Sequence, residues 1–228
     1  MTQYLLPRHV HVCRRGEDFV FLDLRQDDYT LVNGAAAAAL RASIFMEHDV
    51  ANETVASDPL RALLEGGLLT TDESIGKQLN VTQVEPAVDQ LLDFDTIADA
   101  HITAIAFLRF FSACSVAALR LRWGRLENTI QSIVRRKSRH SAQPLDVARA
   151  RELTAVFYKL RALFPFNYLC LFDSLALIEF LARYRIFPTW VFGVKLEPWA
   201  AHCWIQHGPL AFNENPETAA GYTPIMVI

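Results

Sequence analysis

Three short runs near the start of the chain have the hydrophobic pattern of strands: His9 to Cys13, Phe19 to Leu24 and Tyr29 to Val32. Aromatic and β-branched residues dominate them, which suits a pleated, half-buried surface. Asp27-Asp28 supplies a turn before the third run, and Asn33-Gly34 ends it. The pattern then changes period. Ala35 to Ile44 is rich in alanine and predicts a helix. Asp58-Pro59 reads as a cap with proline at the first helical position, after which Leu60, Leu63 and Leu64 share one helical face. Gly66-Gly67 stops that helix, and Leu68-Leu69 starts a short extended segment.

Thr70 to about Gln90 is polar and carries little periodicity, as expected of a linker. From Leu91 the pattern is helical to Phe164, with three helices predicted near 97–121, 124–137 and 146–163 and Asp146 as a cap of the third. Pro165-Phe166-Asn167 forces a non-helical approach to Cys170. Cys170 to Tyr184 reads as a further helix, with Leu171, Leu175, Ile178 and Ala182 on one stripe. Pro188 opens a β-rich end: Trp190 to Leu196, Ala201 to His207, Leu210 to Phe212 and Tyr222 to Ile228. The class is therefore α+β. The expected domains are 1–72, a linker over 73–90, and 91–228 with helices followed by an antiparallel sheet.

Composition narrows the function. With 228 residues, 52% hydrophobic, the chain can bury a core without disulfide staples. A formal charge of -3 gives no general attraction to nucleic acid. The four cysteines form no C-x-x-C pair, so the usual zinc and redox spacings are absent and a reducing compartment is expected. Neither a metal nor a cofactor is expected, and Gly66-Gly67 lacks the rest of a phosphate-binding loop. The N-terminal residues show no basic segment followed by a long apolar run, so no secretory signal is read. Asp99, His101 and Arg109 interrupt the apolar stretch from Ile97 to Leu119, which reads as a buried helix and not a bilayer span. A cytoplasmic protein with no membrane partner is the expectation. The basic run Arg120, Arg122, Arg125, Arg135, Arg136, Lys137 and Arg139 reads as a solvated helix face. Its competing reading, a DNA-binding winged helix, suffers because the run lies outside the small domain.

The candidate chemistry sits near the C-terminus. Cys170 falls where a loop becomes a helix, so unpaired N–H groups and the helix dipole favour its thiolate. His202 lies in a predicted strand whose alternation puts it with Trp204 on one face and Cys203 with Ile205 on the other. Glu214, expected from the next strand, is a candidate orienter of the imidazole, and Asn213 competes for that role. Each residue also has a bland reading. A cysteine at a helix start is commonly a small buried residue, and a histidine in an apolar strand a satisfied core residue.

The segments Cys170-Leu-Phe-Asp-Ser-Leu-Ala-Leu, Phe192-Gly-Val and Ala201-His-Cys-Trp-Ile-Gln together resemble the B protein of lasso-peptide biosynthesis. That family is a transglutaminase-like, papain-like thiol peptidase that removes the leader from a ribosomal precursor peptide. The resemblance implies Cys170 as nucleophile, His202 as base and an acid after it. The family usually has Asn-Asp where this chain has Asn213-Glu214, so the third role stays open between the two. The first third resembles the family's leader-recognition domain, a small winged-helix-like unit of three strands and three helices. There the leader adds as a strand beside the third strand and packs on the third helix. This implies leader contacts from Tyr29, Leu31, Leu60, Leu63 and Leu64, although the leucines fit a core equally well. The implied partners are the precursor peptide and an ATP-dependent macrolactam cyclase. Two other functions remain open: a thioester-forming acyltransferase, and a non-catalytic peptide-binding adaptor.

Overall fold

A computed structural model describes residues 4–45, 57–140 and 144–228. The chain divides into two compact units, Met1–Gln83 with Thr223–Met226, and Val84–Tyr222 with Val227–Ile228.

In the first unit, strands β1 (Leu6–Pro7), β2 (Val10–Arg15), β3 (Asp18–Asp23) and β4 (Asp28–Val32) precede helices α1 (Gly34–Phe45) and α2 (Ser57–Glu65), and β5 (Gly76–Lys77) follows. The three expected strand runs form an antiparallel sheet in the order β2-β3-β4. Its hairpins set Arg15 opposite Asp18 and Asp23 opposite Asp28. Gly16 turns the first hairpin at φ +61°, a region open to glycine at little cost. Val10, Val12, Phe19, Phe21 and Val32 meet Ala37 and Leu40 of α1 and Leu60 and Leu63 of α2 in one core. A third helix, between α1 and α2, would fall on residues 46–56, outside the described residues. The polar stretch expected as a linker is partly structured. Gly76 and Lys77 pair with Pro7 and Leu6.

The second unit carries β6 (Asp89–Gln90), α3 (Phe94–Asp99), α4 (Ala104–Trp123), α5 (Leu126–Ser138), α6 (Val147–Arg161), α7 (Cys170–Ala182), β7 (Thr189–Leu196), β8 (Trp199–His207), β9 (Leu210–Ala211) and α8 (Pro216–Ala220). The helix expected over 97–121 is two helices. Ala100 leaves helical geometry at φ −57° and ψ 127°, and the Thr103 hydroxyl accepts from the Ala106 N–H to start α4. The Asp146 cap is present, its carboxylate accepting from the Arg149 N–H.

The apolar stretch is buried on one face only. Ala106, Phe110, Ala113, Cys114 and Ala117 point inward, while Ile105, Leu108, Leu119 and Trp123 are exposed. By length and composition α4 is long and apolar enough to cross a membrane. Phe110 sits edge-on to Phe157, Phe164 and Phe180, so α4, α6, α7 and the loop before α7 share one aromatic cluster. The solvated-face reading of the basic run is corrected at Arg120, Arg136 and Lys137, and Arg183 from outside the run joins the first two. Arg120, Arg136 and Arg183 converge on the buried Glu179 carboxylate, and Lys137 donates to the carbonyls of Pro188 and Ile228. One buried carboxylate needs that much compensation.

Strands β7 and β8 form an antiparallel hairpin running from Thr189 opposite Gln206 to Leu196 opposite Trp199. The β9 strand pairs antiparallel with β8 and parallel with β6, giving the order β7-β8-β9-β6. The last strand, β10 (Thr223–Val227), leads to Ile228, which exchanges two backbone hydrogen bonds with Trp190 on β7. Helix α7 packs across β8, and this contact places the residues described next.

Candidate active site

Cys170 is the first residue of α7, and its predecessor Leu169 is extended and offers no side-chain cap. The free N–H groups of the first turn therefore face the thiol end of the helix. His202 lies mid-way along β8, opposite Gly193 of β7. Its ring is flanked by Tyr222 at 5.1 Å and Trp204 at 6.2 Å between centroids. Gly193 makes this packing possible: a Cβ there would come within 2.9 Å of the Tyr222 Cβ and 3.0 Å of the Trp204 ring.

The Glu214 carboxylate hydrogen-bonds His202 Nε2 through Oε2, while Oε1 accepts from the Asn215 N–H at 2.8 Å. The sequence placed Glu214 on a strand. Instead β9 ends at Ala211, and Glu214 sits in the bend before α8. The Asn215 cap of α8, accepting from Glu217 N, anchors this bend. Asn213 turns the other way. Its Oδ1 accepts from the Ile205 N–H at 2.6 Å, and its Nδ2 donates to Ser174 Oγ at 2.8 Å. Ser174 in turn donates to the Cys203 carbonyl at 3.3 Å. Asn213 and Ser174 thus fasten α7 to β8, and Glu214 alone of the pair reaches the imidazole.

With Nε2 held by Glu214, Nδ1 is the ring nitrogen left for the Cys170 sulfur. Hydrogen bonding from the Cys203 thiol and from His202 outweighs burial and brings the Cys170 pKa down to about 4. Hydrogen bonds to Cys170 and Glu214 outweigh burial and raise His202 to about 9. Burial by itself would raise Glu214, but its bonds from His202 and the Asn215 N–H leave it below the usual carboxylate range. These shifts favour the charged form of each group: a thiolate, an imidazolium and a carboxylate. Cys203 is buried, its Sγ 3.8 Å from Ser174 Oγ, and burial pushes its own pKa well up. Alternation does turn Cys203 away from the His202 face, toward Ser174 of α7.

A family model described as the transglutaminase-like superfamily matches residues 113–227, just over half of the chain. The chain belongs to the transglutaminase-like superfamily. No curated protein and no solved structure matches it. Transglutaminase-like proteins are generally cysteine-type enzymes, so thiol-based hydrolysis or acyl transfer is the general kind of activity. The transglutaminase-like region begins within α4 and takes in Cys170, His202, Asn213 and Glu214.

The residues expected to hold a leader lie in the first unit and differ in exposure. On β4, the outer strand of its sheet, Tyr29 is half-buried and Leu31 exposed. Leu60 and Leu63 are core residues, and Leu64 packs against that core while partly exposed. Sequence reasoning missed Ser174, Arg161 and Asp173. Asp173 lies three residues after Cys170 and carried a readable signal, an acid in the first helical turn. Arg161 carried none, because an arginine at a helix end normally marks solvent.

Proposed function

We propose that this chain is a cysteine leader peptidase of lasso-peptide maturation. The Cys170 thiolate attacks the carbonyl of the bond joining leader and core, and first-turn N–H groups of α7 receive the developing oxyanion. The His202 imidazolium gives its proton to the leaving amine, and Glu214 keeps the ring oriented. Water, deprotonated by the now neutral imidazole, attacks the thioester and releases the leader from Cys170. The observation that carries the reading is a cysteine at the head of α7, a helix packed on β8, together with a histidine of β8 whose Nε2 a carboxylate holds.

In this reading the first unit is the winged-helix-like leader-recognition domain. The leader lies along β4 beside Tyr29 and Leu31 and reaches α2 near Leu64, with Leu60 and Leu63 supporting that surface from inside. Holding the leader raises the local concentration of the scissile bond, to the order of millimolar for a short tether. The reaction proceeds in the cytoplasm, needs no metal or cofactor, and hands the core peptide to an ATP-dependent macrolactam cyclase.

The test is incubation with a precursor peptide encoded beside this chain, followed by weighing of the products. Cleavage by the native protein and none by Cys170→Ala, with leader binding kept, supports the proposal. Capture of the acyl fragment by an added amine in preference to water would make the enzyme an acyltransferase. Binding without turnover would make it an adaptor.

A further inference from the structure

Phe164 to Leu169, the approach to Cys170, form neither helix nor strand, yet they are held at nearly every step. The holder is Arg161, the last residue of α6, only 2% exposed. Its guanidinium donates to the carbonyls of Phe164 at 3.3 Å, Phe166 at 3.1 Å and Asn167 at 3.0 Å. The Tyr168 ring lies 4.3 Å from its Cζ and the Phe172 ring 5.0 Å. Its Nε pairs with Asp173 Oδ1, and the other Asp173 oxygen accepts from the Leu169 N–H at 3.0 Å. A buried guanidinium needs partners, and one carboxylate with any nearby carbonyls would suffice. Here the carbonyls belong to the loop that delivers the nucleophile, and the carboxylate stands one turn beyond it.

We infer that Arg161 is a positioning residue: its fork fixes the approach loop so that the Cys170 sulfur faces His202, and its charge cancels that of Asp173. The inference rests on Cys170 being the nucleophile proposed above. Around the sulfur stand His202 and Cys203 from β8, Asp173 on α7 itself, Glu214 behind His202, and Tyr158 of α6 near both carboxylates. Asp173 is the carboxylate that would oppose the thiolate directly if the guanidinium left.

The experiment measures the rate of Cys170 alkylation by iodoacetamide against pH in the full chain, read by mass at the Cys170 peptide. In Arg161→Met the midpoint of the profile is expected to rise by about one pH unit, a tenfold loss of thiolate at fixed acidic pH. Adding Asp173→Asn should return the midpoint toward native while leaving cleavage slow, because the loop stays untied. A purely structural role would lower the folded fraction and leave the midpoint of the folded protein in place, and that result overturns the inference. Should Arg161→Met not fold, Arg161→Lys keeps the charge and loses the fork. A native-like midpoint with a reduced kcat and a little-changed KM then supports the inference, and native kcat overturns it. Alkylation reads the sulfur whichever bond the enzyme cuts. If Cys170→Ala still cleaves, the proposed function fails while the shift in midpoint remains a separate result.

Discussion

The carboxylate of Glu214 and Nε2 of His202 are joined across a turn, the histidine in the middle of β8 and the glutamate in the bend that follows β9. Asn213, one residue earlier, is tied to Ile205 and Ser174 and so fixes where the bend begins. The longer arm of glutamate, compared with the aspartate expected from family resemblance, spans the remaining gap from a bend instead of a strand.

That link sets the alkaline side of the pH profile. The ion pair exists above the Cys170 pKa of about 4 and below the His202 pKa of about 9. Activity should therefore rise with pH through the first value and fall through the second. Glu214→Gln removes one of the two bonds that hold His202 up, so the alkaline limb should move to lower pH. A partial loss of kcat, on the order of tenfold to a hundredfold, is expected, because the nucleophile and base remain. An unchanged alkaline limb in the pH–rate profile would show that Glu214 does not act through His202.

Cys203 controls the acidic side. Alternation alone predicts that Cys203→Ala is silent, since its side chain points away from the His202 face. The thiol bonds Ser174 Oγ on α7, however, and is the first cause of the low Cys170 pKa. In Cys203→Ala the Cys170 pKa should rise, so the acidic limb of both alkylation and cleavage moves to higher pH while activity at pH 8 stays near native. Loss of all cleavage at every pH would instead make Cys203 the nucleophile and undo the assignment of Cys170.

The contrast between those two cysteines shows what the sequence carries. Periodicity located α7, the β7–β8 hairpin and the small meander, because one-sided burial writes a repeat into the chain. The Pro165 to Asn167 break marked the head of α7 for the same local reason. Contacts across elements leave no such trace. The convergence of Arg120, Arg136 and Arg183 on Glu179 looks like surface charge in sequence, as does Arg161. The break at Ala100 was missed because the apolar residues on either side continue one stripe, and the Thr103 cap falls within it. Among candidate site residues, the Cys–His order was legible. The choice between Glu214 and Asn213 was not, since it depends on the direction of a bend.

Two small groups beside the candidate site, Ser174 on α7 and Gly193 on β7, can each be tested without touching Cys170, His202 or Glu214. Ser174→Ala leaves the Asn213 amide and the Cys203 carbonyl without their partner in a buried place. A cost of about 1–3 kcal/mol is expected in urea unfolding. A change within a few tenths of a kcal/mol would mean that water replaces the hydroxyl.

Gly193→Ala tests the other side. The new methyl group would stand against Tyr222 and Trp204, the two rings that enclose His202. Backbone φ is not the obstacle here; space is. The rings must shift, so His202 loses its fixed plane, and kcat should fall more than the melting temperature does. A variant with native kcat but a lowered Tm would show that the rings serve the core and not the imidazole.

The residues proposed to bind the leader divide into two groups by burial, and so should their variants. Leu63 is a core residue packed with sheet and helix, so Leu63→Ala should cost about 2–5 kcal/mol in the first unit. Any loss of leader affinity would follow from unfolding, and circular dichroism would report it. Leu31 is 47% exposed on the outer strand β4, so Leu31→Asp should leave stability near native. If the leader pairs with β4, the new charge sits in the pairing face. Affinity for a synthetic leader peptide, measured by titration calorimetry, should then fall by tenfold or so, about 1.4 kcal/mol. With saturating precursor, kcat for cleavage should change little, because β4 carries no reacting group. Native affinity in folded Leu31→Asp would place the leader elsewhere on this unit and leave the chemistry at Cys170 as it stands.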